Sequence, residues 1–343
     1  MNRRRRSLVL ALAAGATGAG GALAALPPVL DRAAVSTSLA RGAVLLAAAR
    51  AGSRLVVGGE RGIVLYSDDD GATWQQAAVP VQVSLTSLSF ADAQHGWATG
   101  HFGVLLRTQD GGARWQRMMD GTRAAELLLN EASDDSQRAV AQRRLKEGAD
   151  KPFFDIALAG GRWLAVGAYG IALQTRDGQA FHGLTPRLPN PRQLHLYGIR
   201  AAGERVFIVG EQGLLLRSVD SGESFEALPS PYKGSLFGLH LTAAGSVIAF
   251  GLRGNVWRSA DHGEHWTQVP MPHPVSVSAA TALPGGGFAL VTQNGELLVS
   301  RDDGATLSLA AQAQPFPAAA LAATTGGELV VTGLRGLQRR PKV

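Results

Sequence analysis

One supersecondary unit recurs seven times along this chain, and no other feature restricts the fold so tightly. The stretch Gly58-Gly59-Glu60-Arg61-Gly62-Ile63-Val64-Leu65-Tyr66-Ser67 returns as Thr99-Gly100-His101-Phe102-Gly103-Val104-Leu105-Leu106-Arg107-Thr108. The second glycine of this frame falls at Gly62, Gly103, Gly170, Gly213, Gly254, Gly295 and Gly336, at intervals of 41, 67, 43, 41, 41 and 41 residues. Each unit reads as four short strands, in the second copy Leu85 to Phe90, Gly96 to Thr99, Gly103 to Thr108 and Trp115 to Met118. The glycine frame is a tight turn between strands two and three, where glycine supplies positive φ. Four strands at a period of about 40–45 residues are the signature of a propeller blade. The fold class expected is all-β: a seven-bladed β-propeller with repeats of about 41 residues.

Length fits a closed ring with one piece missing. The last copy lacks the final turn and outer strand that the others carry, and residues Val29 to Leu39 precede the first blade. They are expected to supply that strand, since a closed ring hides sheet edges. The organisation expected is a signal over 1–26, a lead-in and ring-closing strand over 27–41, and the propeller over 42–341. The long interval holds an insertion, 119–151, between blades 2 and 3. Its spacing of Leu127, Leu128, Val140 and Leu145, without proline, predicts one helix broken near Ser133-Asp134 or a helical hairpin.

Arg3 to Arg6, an apolar stretch from Leu8 to Leu26 and the small-residue run Ala22-Leu23-Ala24 form the three parts of an export signal, with cleavage expected after Ala24. The Arg5-Arg6-Ser7-Leu8 run resembles a twin-arginine signal, and an uncleaved anchor is the alternative. The expected location is exported and periplasmic, free or held at the membrane surface. The net charge of +6 owes four units to those N-terminal arginines, so the bulk is nearly neutral and nucleic-acid binding is not indicated. No cysteine is present, which excludes a disulfide scaffold and thiolate metal sites.

Between strands three and four runs Ser-x-Asp-x-Gly-x-Thr-Trp, complete at Ser67-Asp69-Gly71-Thr73-Trp74. Variants centre on Asp110, Asp220, Asp261 and Asp302, and a shortened one on Asp177. These are Asp boxes of the kind also found in sialidases. The carboxylates read as structural, accepting hydrogen bonds from turn amides while the aromatic packs between sheets. A calcium site at Asp68-Asp69-Asp70 or Asp302-Asp303 is the alternative; no metal and no cofactor is expected.

The segment Phe90-Ala91-Asp92-Ala93-Gln94-His95-Gly96-Trp97-Ala98-Thr99-Gly100-His101-Phe102-Gly103, followed by Thr108-Gln109-Asp110-Gly111-Gly112, resembles the repeat of the photosystem II stability and assembly factor family. The resemblance covers roughly residues 42 to 340. It implies a non-enzymatic propeller that binds membrane-protein partners during assembly. In photosynthetic members it implies a reaction-centre precursor as client, held near an arginine-rich patch. The 119–151 insertion departs from that pattern and puts the photosystem client in doubt.

The turns between strands two and three share a face with the connections between blades, opposite the Asp boxes. They present Arg61, His101, Phe102, Tyr169, Gln212, Arg253 and Arg335, which vary in chemistry while their frames repeat. That is the expected partner-binding surface, and the insertion emerges on the same side. The expected partner is a subunit of a membrane protein complex on the periplasmic side. No small-molecule substrate is expected. A sialidase-like glycoside hydrolase is the competing reading. It needs an arginine triad, a Tyr–Glu pair and a separate acid, and its Arg-Ile-Pro segment is absent here. His95/His101 and His262/His265 are spaced for turns rather than for metal. No catalytic residue is assigned.

Overall fold

The second strand of each repeat is a continuous run of small and apolar residues, such as Leu55-Val56-Val57-Gly58 and Val206-Phe207-Ile208-Val209. Such strands are buried on both faces, which only a sheet sandwiched between two others provides. The fourth strands are two-residue, exposed and polar in most copies, for example Gln75–Gln76 and Thr267–Gln268. Radial sheets in a ring, with inner edges crowded and outer edges wet, satisfy both patterns. A computed structural model, describing residues 28–148, 150–310 and 314–343, has that architecture. The export signal expected over 1–26 lies outside the described residues.

Seven antiparallel sheets follow one another in chain order, six of four strands and a seventh of three among the described residues. Their innermost strands are Leu45–Ala51, Leu85–Phe90, Phe153–Ala159, Leu196–Ala202, Leu236–Leu241, Val277–Ala282 and Ala318–Ala323. Apolar clusters fill the wedges between neighbouring blades, as between Trp97, Trp163 and Phe181 of blades 2 and 3. The insertion is a helical hairpin, α1 (Gly121–Asn130) and α2 (Asp135–Glu147). Asp120 caps α1 by accepting from the amides of Thr122 and Arg123, and Asp134 caps α2 through Gln137. Ala124, Leu128 and Ala141 face the propeller and join the cluster of Met118, Phe153 and Phe181.

Ring closure differs from expectation. Residues 29–39 form no strand and do not touch the last sheet as its fourth member. They lie instead along the connection from blade 1 to blade 2. Gln82 N donates to Val29 O at 2.9 Å, Ala34 N donates to Val79 O at 2.9 Å, and Arg117 Nη1 donates to Leu30 O at 2.6 Å. The physical reason is local: Val79, Val81 and Val83 offer an apolar strip that Val29, Leu30 and Ala34 cover.

Closure is made by packing. The first sheet stacks on the seventh through Leu45, Leu55, Val57, Leu65, Ala322 and Val330. Arg50 Nη1 donates to Ala323 O at 3.2 Å, and the Asp70 carboxylate accepts from the amide and hydroxyl of Thr325. Two glycine contacts that repeat between neighbouring blades also occur at this seam. The turn glycine presses on the next connection, Gly62 on Val81, Gly213 on Tyr232 and Gly336 on Arg41. The Asp-box glycine presses on the preceding blade, Gly112 on Val56, Gly222 on Leu164 and Gly71 on Val330. The seam therefore copies the internal joints. Among the described residues, no helix is long and apolar enough to cross a membrane.

Candidate protein-binding site

Each turn between strands two and three is tied to the start of its own blade. Glu60 N donates to Val44 O at 2.8 Å, His101 N to Ser84 O at 2.9 Å, and Glu211 N to His195 O at 2.9 Å. In blades 1 to 5 the turn is a single 3₁₀ turn whose middle residue is left-handed: Arg61, Phe102, Tyr169, Gln212 and Arg253, at φ between 52° and 57°. A non-glycine residue there costs about 1–2 kcal/mol. The turn is held because the following glycine must fit against the next connection. All five side chains are exposed, as are His101 and Arg335. Arg335 differs in geometry, lying in a two-residue turn between the paired Gly333 and Gly336. The three arginines do not form one continuous patch, because Gln293 and Asn294 occupy the blade 6 turn between Arg253 and Arg335.

Closer to the axis lies a second ring of seven positions. Every innermost strand carries a register shift one residue from its start, at Leu46, Thr86, Phe154, Tyr197, Phe237, Ser278 and Ala319. A bulge re-aims the extra side chain, and all seven of these residues line the axial cavity, whose volume is about 170 Å³. The ring is lopsided. Blades 3, 4 and 5 place aromatic rings there, whereas blades 6 and 7 place Ser278 and Ala319.

The aromatic side continues outward into one group. Phe154 and Tyr197 have ring centroids 5.5 Å apart, and Tyr197 and Phe237 are 5.9 Å apart. His195 sits 4.6 Å from Tyr169 and 5.9 Å from Tyr197. The Tyr169 amide donates to His195 Nδ1 at 3.0 Å, which fixes this nitrogen as an acceptor. Tyr169 is 50% exposed, with the Lys151 ammonium 5.6 Å from its ring centroid. Burial, helped by Glu211, pushes the Tyr197 phenol above its ordinary pKa, so it stays protonated and available as a donor. The insertion braces this group, since Arg144 Nη2 of α2 donates to the Tyr169 carbonyl at 2.8 Å.

Below the aromatic ring, Asp155 is 5% exposed and takes four donors. Ser87 Oγ lies at 2.6 Å, the amides of Ile156 and Ile199 lie at 3.0 Å, and Arg200 Nη1 completes the set. One carboxylate thus joins blades 2, 3 and 4. Among the described residues it is the one acid lining the axial cavity.

The Asp boxes occupy the opposite face. In the complete box, Ser67 Oγ donates to Asp69 Oδ1 at 2.7 Å and accepts from Gly71 N at 2.8 Å, while Thr73 N donates to Asp69 Oδ1 at 2.8 Å. Trp74 Nε1 donates to Gly71 O at 3.1 Å. The same pattern surrounds Asp110, Asp220, Asp261 and Asp302. Asp177, in its shortened box, accepts instead from Gln179 N and Ala180 N. Bonds from Thr73 and Ser67 hold Asp69 down at a pKa of about 2, and Thr306 and Ser300 do the same for Asp302. The neighbours of Asp69 diverge from it: Asp68 pairs with Arg54 at 2.7 Å and Asp70 turns to Thr325. Among the described residues no three His, Asp or Glu side chains converge as a metal site.

The sequence thus points to Tyr169 but misses Phe154, His195, Tyr197 and Phe237. A signal existed. Setting the second residue of each innermost strand side by side shows three aromatics in three successive blades.

Residues 66–140 match the family described as photosynthesis system II assembly factor YCF48. No curated protein matches the chain. Among solved structures, YCF48 bound to a D1 peptide is 19% identical, with a TM-score of 0.52 over 75% of this chain and 81% of that one. YCF48 from Cyanidioschyzon merolae is 14% identical, with a TM-score of 0.63 over 88% and 96%. The WD40 propeller domain of Doa1 is 11% identical, with a TM-score of 0.61 over 90% and 95%. Identities this low carry the propeller fold. The family match spans residues 66–140, less than half of the chain.

Proposed function

We propose that the chain is an exported, non-catalytic assembly factor, which holds a segment of a membrane-protein subunit on the face formed by the Tyr169 turn and the aromatic side of the channel. The observation that carries the reading is the lopsided bulge ring. Three of seven equivalent positions are aromatic, adjacent in space and continuous with exposed Tyr169. Rigid aromatics on a rigid scaffold bind with little ordering cost, and such residues dominate interface energetics. Arg61, Arg253 and Arg335 stand further out on the same face and suit acidic groups of a partner. A peptide occupies the YCF48 relative named above, which favours a peptide segment as the partner's contact here. Periplasmic residence rests on the N-terminal signal pattern.

The hydrolase reading gains no support from the site. Glycoside cleavage uses two carboxylates across the scissile bond, and among the described residues the channel lining supplies only Asp155, already engaged by four donors. The deciding experiment is affinity capture from solubilised membranes with the wild-type chain and a Tyr169→Ala/Tyr197→Ala/Phe237→Ala variant. The wild type is expected to enrich one membrane-protein subunit at least tenfold over the variant. Equal enrichment by both, or turnover of sialosides by the wild type, would overturn the proposal.

A further inference from the structure

The helical hairpin does more than brace the Tyr169 turn. Between α2 and the proline-rich connection from blade 3 to blade 4 lies a cleft of about 350 Å³, within the size range of ligand pockets. Its walls are mainly apolar, with Leu128, Val140 and Ala141 on the hairpin side and Leu188, Pro189 and Pro191 opposite. From Ser136 to Arg144, both on the lining, the cleft runs along about 12 Å of helix.

Among the described residues Arg144 is the one cation in that lining, and it is only 4% exposed. Buried arginines are ordinarily paired with a carboxylate. Here the guanidinium has its bond to the Tyr169 carbonyl, and among the described residues no carboxylate forms an ion pair with it. Glu131, the one acid on the lining among the described residues, is already taken by His182 Nδ1 at 2.9 Å and Gly183 N at 2.6 Å. Burial pushes the Arg144 pKa down to about 10, with Arg143 adding repulsion and Glu147 opposing it. The group is still a full cation at neutral pH. A buried charge of this kind is stabilised most by an anion that brings its own apolar surface.

We propose that this cleft receives the C-terminal end of a partner polypeptide, with the terminal carboxylate on Arg144 and the last apolar side chains against Val140, Leu188 and Pro189. One guanidinium matches one monoanion in the planar, two-pronged geometry that arginine offers. A phosphate dianion brings two charges, and among the described residues the lining holds a single cation to meet them. A chain terminus enters a narrow cleft once, whereas an internal acidic residue would have to bring two backbone strands through the opening. The inference deepens the assembly-factor reading by adding a second contact for the same partner, and it rests on that reading only for the partner's class.

The test uses the full chain and fluorescein-labelled hexapeptides ending in Ala-Leu, as the free acid and as the carboxamide, read by fluorescence anisotropy. The acid is expected to bind at least tenfold tighter than the amide. Arg144→Met should abolish that preference, and Arg144→Lys should retain part of it. Val140→Trp, which fills the cleft without touching the Tyr169 contact, should exclude both peptides. Equal binding of acid and amide, acid binding that survives Val140→Trp, no peptide binding at millimolar concentration, or binding of octanoate but not of the peptide acid would each overturn the proposal. Because the capture experiment relies on the aromatic variant, loss of the assembly-factor reading and loss of the cleft are read separately.

Discussion

A Cβ added to Gly336 would stand 2.0 Å from the carbonyl oxygen of Arg41, so the last blade touches the chain before the first at a distance that only glycine permits. Gly336 also has φ of 88°, in the region that L side chains avoid. Replacement by alanine meets both penalties, the backbone term being about 1–2 kcal/mol. Gly285, at φ of 83° with nothing within 4 Å of its Cβ position, meets the backbone penalty alone. Gly336→Ala is therefore expected to lose clearly more stability than Gly285→Ala in urea unfolding. Equal losses would show that the seam is not closed by this contact.

The blades were legible because turn chemistry repeats wherever the backbone must adopt one shape. Gly62, Gly103, Gly170, Gly213 and Gly254 all have positive φ next to a neighbouring connection, and no other residue fits. Closure was not legible for the converse reason. The seam is sealed by Leu45, Leu55, Ala322 and Val330 in ordinary apolar contact beside the same glycine contacts that mark the internal joints, so no residue pattern of its own announces it. A lead-in carrying Val29, Leu30 and Ala34 can cover any apolar strip, and the nearer one lies at Val79 and Val81. The candidate site was half legible. Turn residues announce themselves through glycine frames, but Phe154, Tyr197 and Phe237 reach the channel through bulges, and a bulge has no residue signature of its own.

Asp155 makes a sharper stability prediction. It accepts from Ser87, Ile199 and Arg200 as well as its own neighbour, so its removal leaves donors of three blades unpartnered at once. Asp155→Ala is expected to cost about 2–3 kcal/mol, the scale of buried donors left without an acceptor near a charge. Ser87→Ala removes one of those bonds and should cost about 1 kcal/mol. Chemical denaturation measures both, and a loss for Asp155→Ala no larger than for Ser87→Ala would contradict the three-blade tie.

Acid should loosen the Asp-box face in a defined window. Asp69, Asp220 and Asp302 titrate in the folded chain at about 2, below the ordinary value of 3.8. A depressed carboxylate contributes stability that is fully present above its unfolded pKa and is lost as pH falls through the folded one. Stability is thus expected to hold from neutrality to about pH 4 and to fall between pH 4 and 2. Asp69→Asn should be less stable at pH 7 and show a shallower fall. Thermal melts across that range give the answer, and a parallel fall in the variant would remove Asp69 from the account.

Export is tested on the chain made in its host. The mature protein is expected to begin near Ala25 and to fractionate with the periplasm or the membrane surface. A cytoplasmic chain that retains Asn2 would contradict this, and replacing Arg5 and Arg6 by lysine separates twin-arginine export from general secretion.

The last prediction weighs the two rings of the binding face against each other. Arg61, Arg253 and Arg335 stand exposed on the outer turns, with the neutral turn of blade 6 between Arg253 and Arg335. Charges so placed act at long range and are screened by salt, and their reversal should slow association and flatten or invert its fall with ionic strength. Tyr169, Tyr197 and Phe237 sit together, backed by His195 and Phe154, where water is already partly excluded. Loss of one such ring typically costs more than about 1.4 kcal/mol, a factor of ten in affinity, and appears in the dissociation rate. With the captured subunit immobilised, Tyr197→Ala is expected to raise the dissociation rate at least tenfold at constant association rate. The triple arginine reversal should lower the association rate, most strongly at low salt. If the arginine variant lost binding altogether at 0.15 M salt while Tyr197→Ala dissociated like the wild type, recognition would lie on the outer ring and the aromatic mouth would be packing alone.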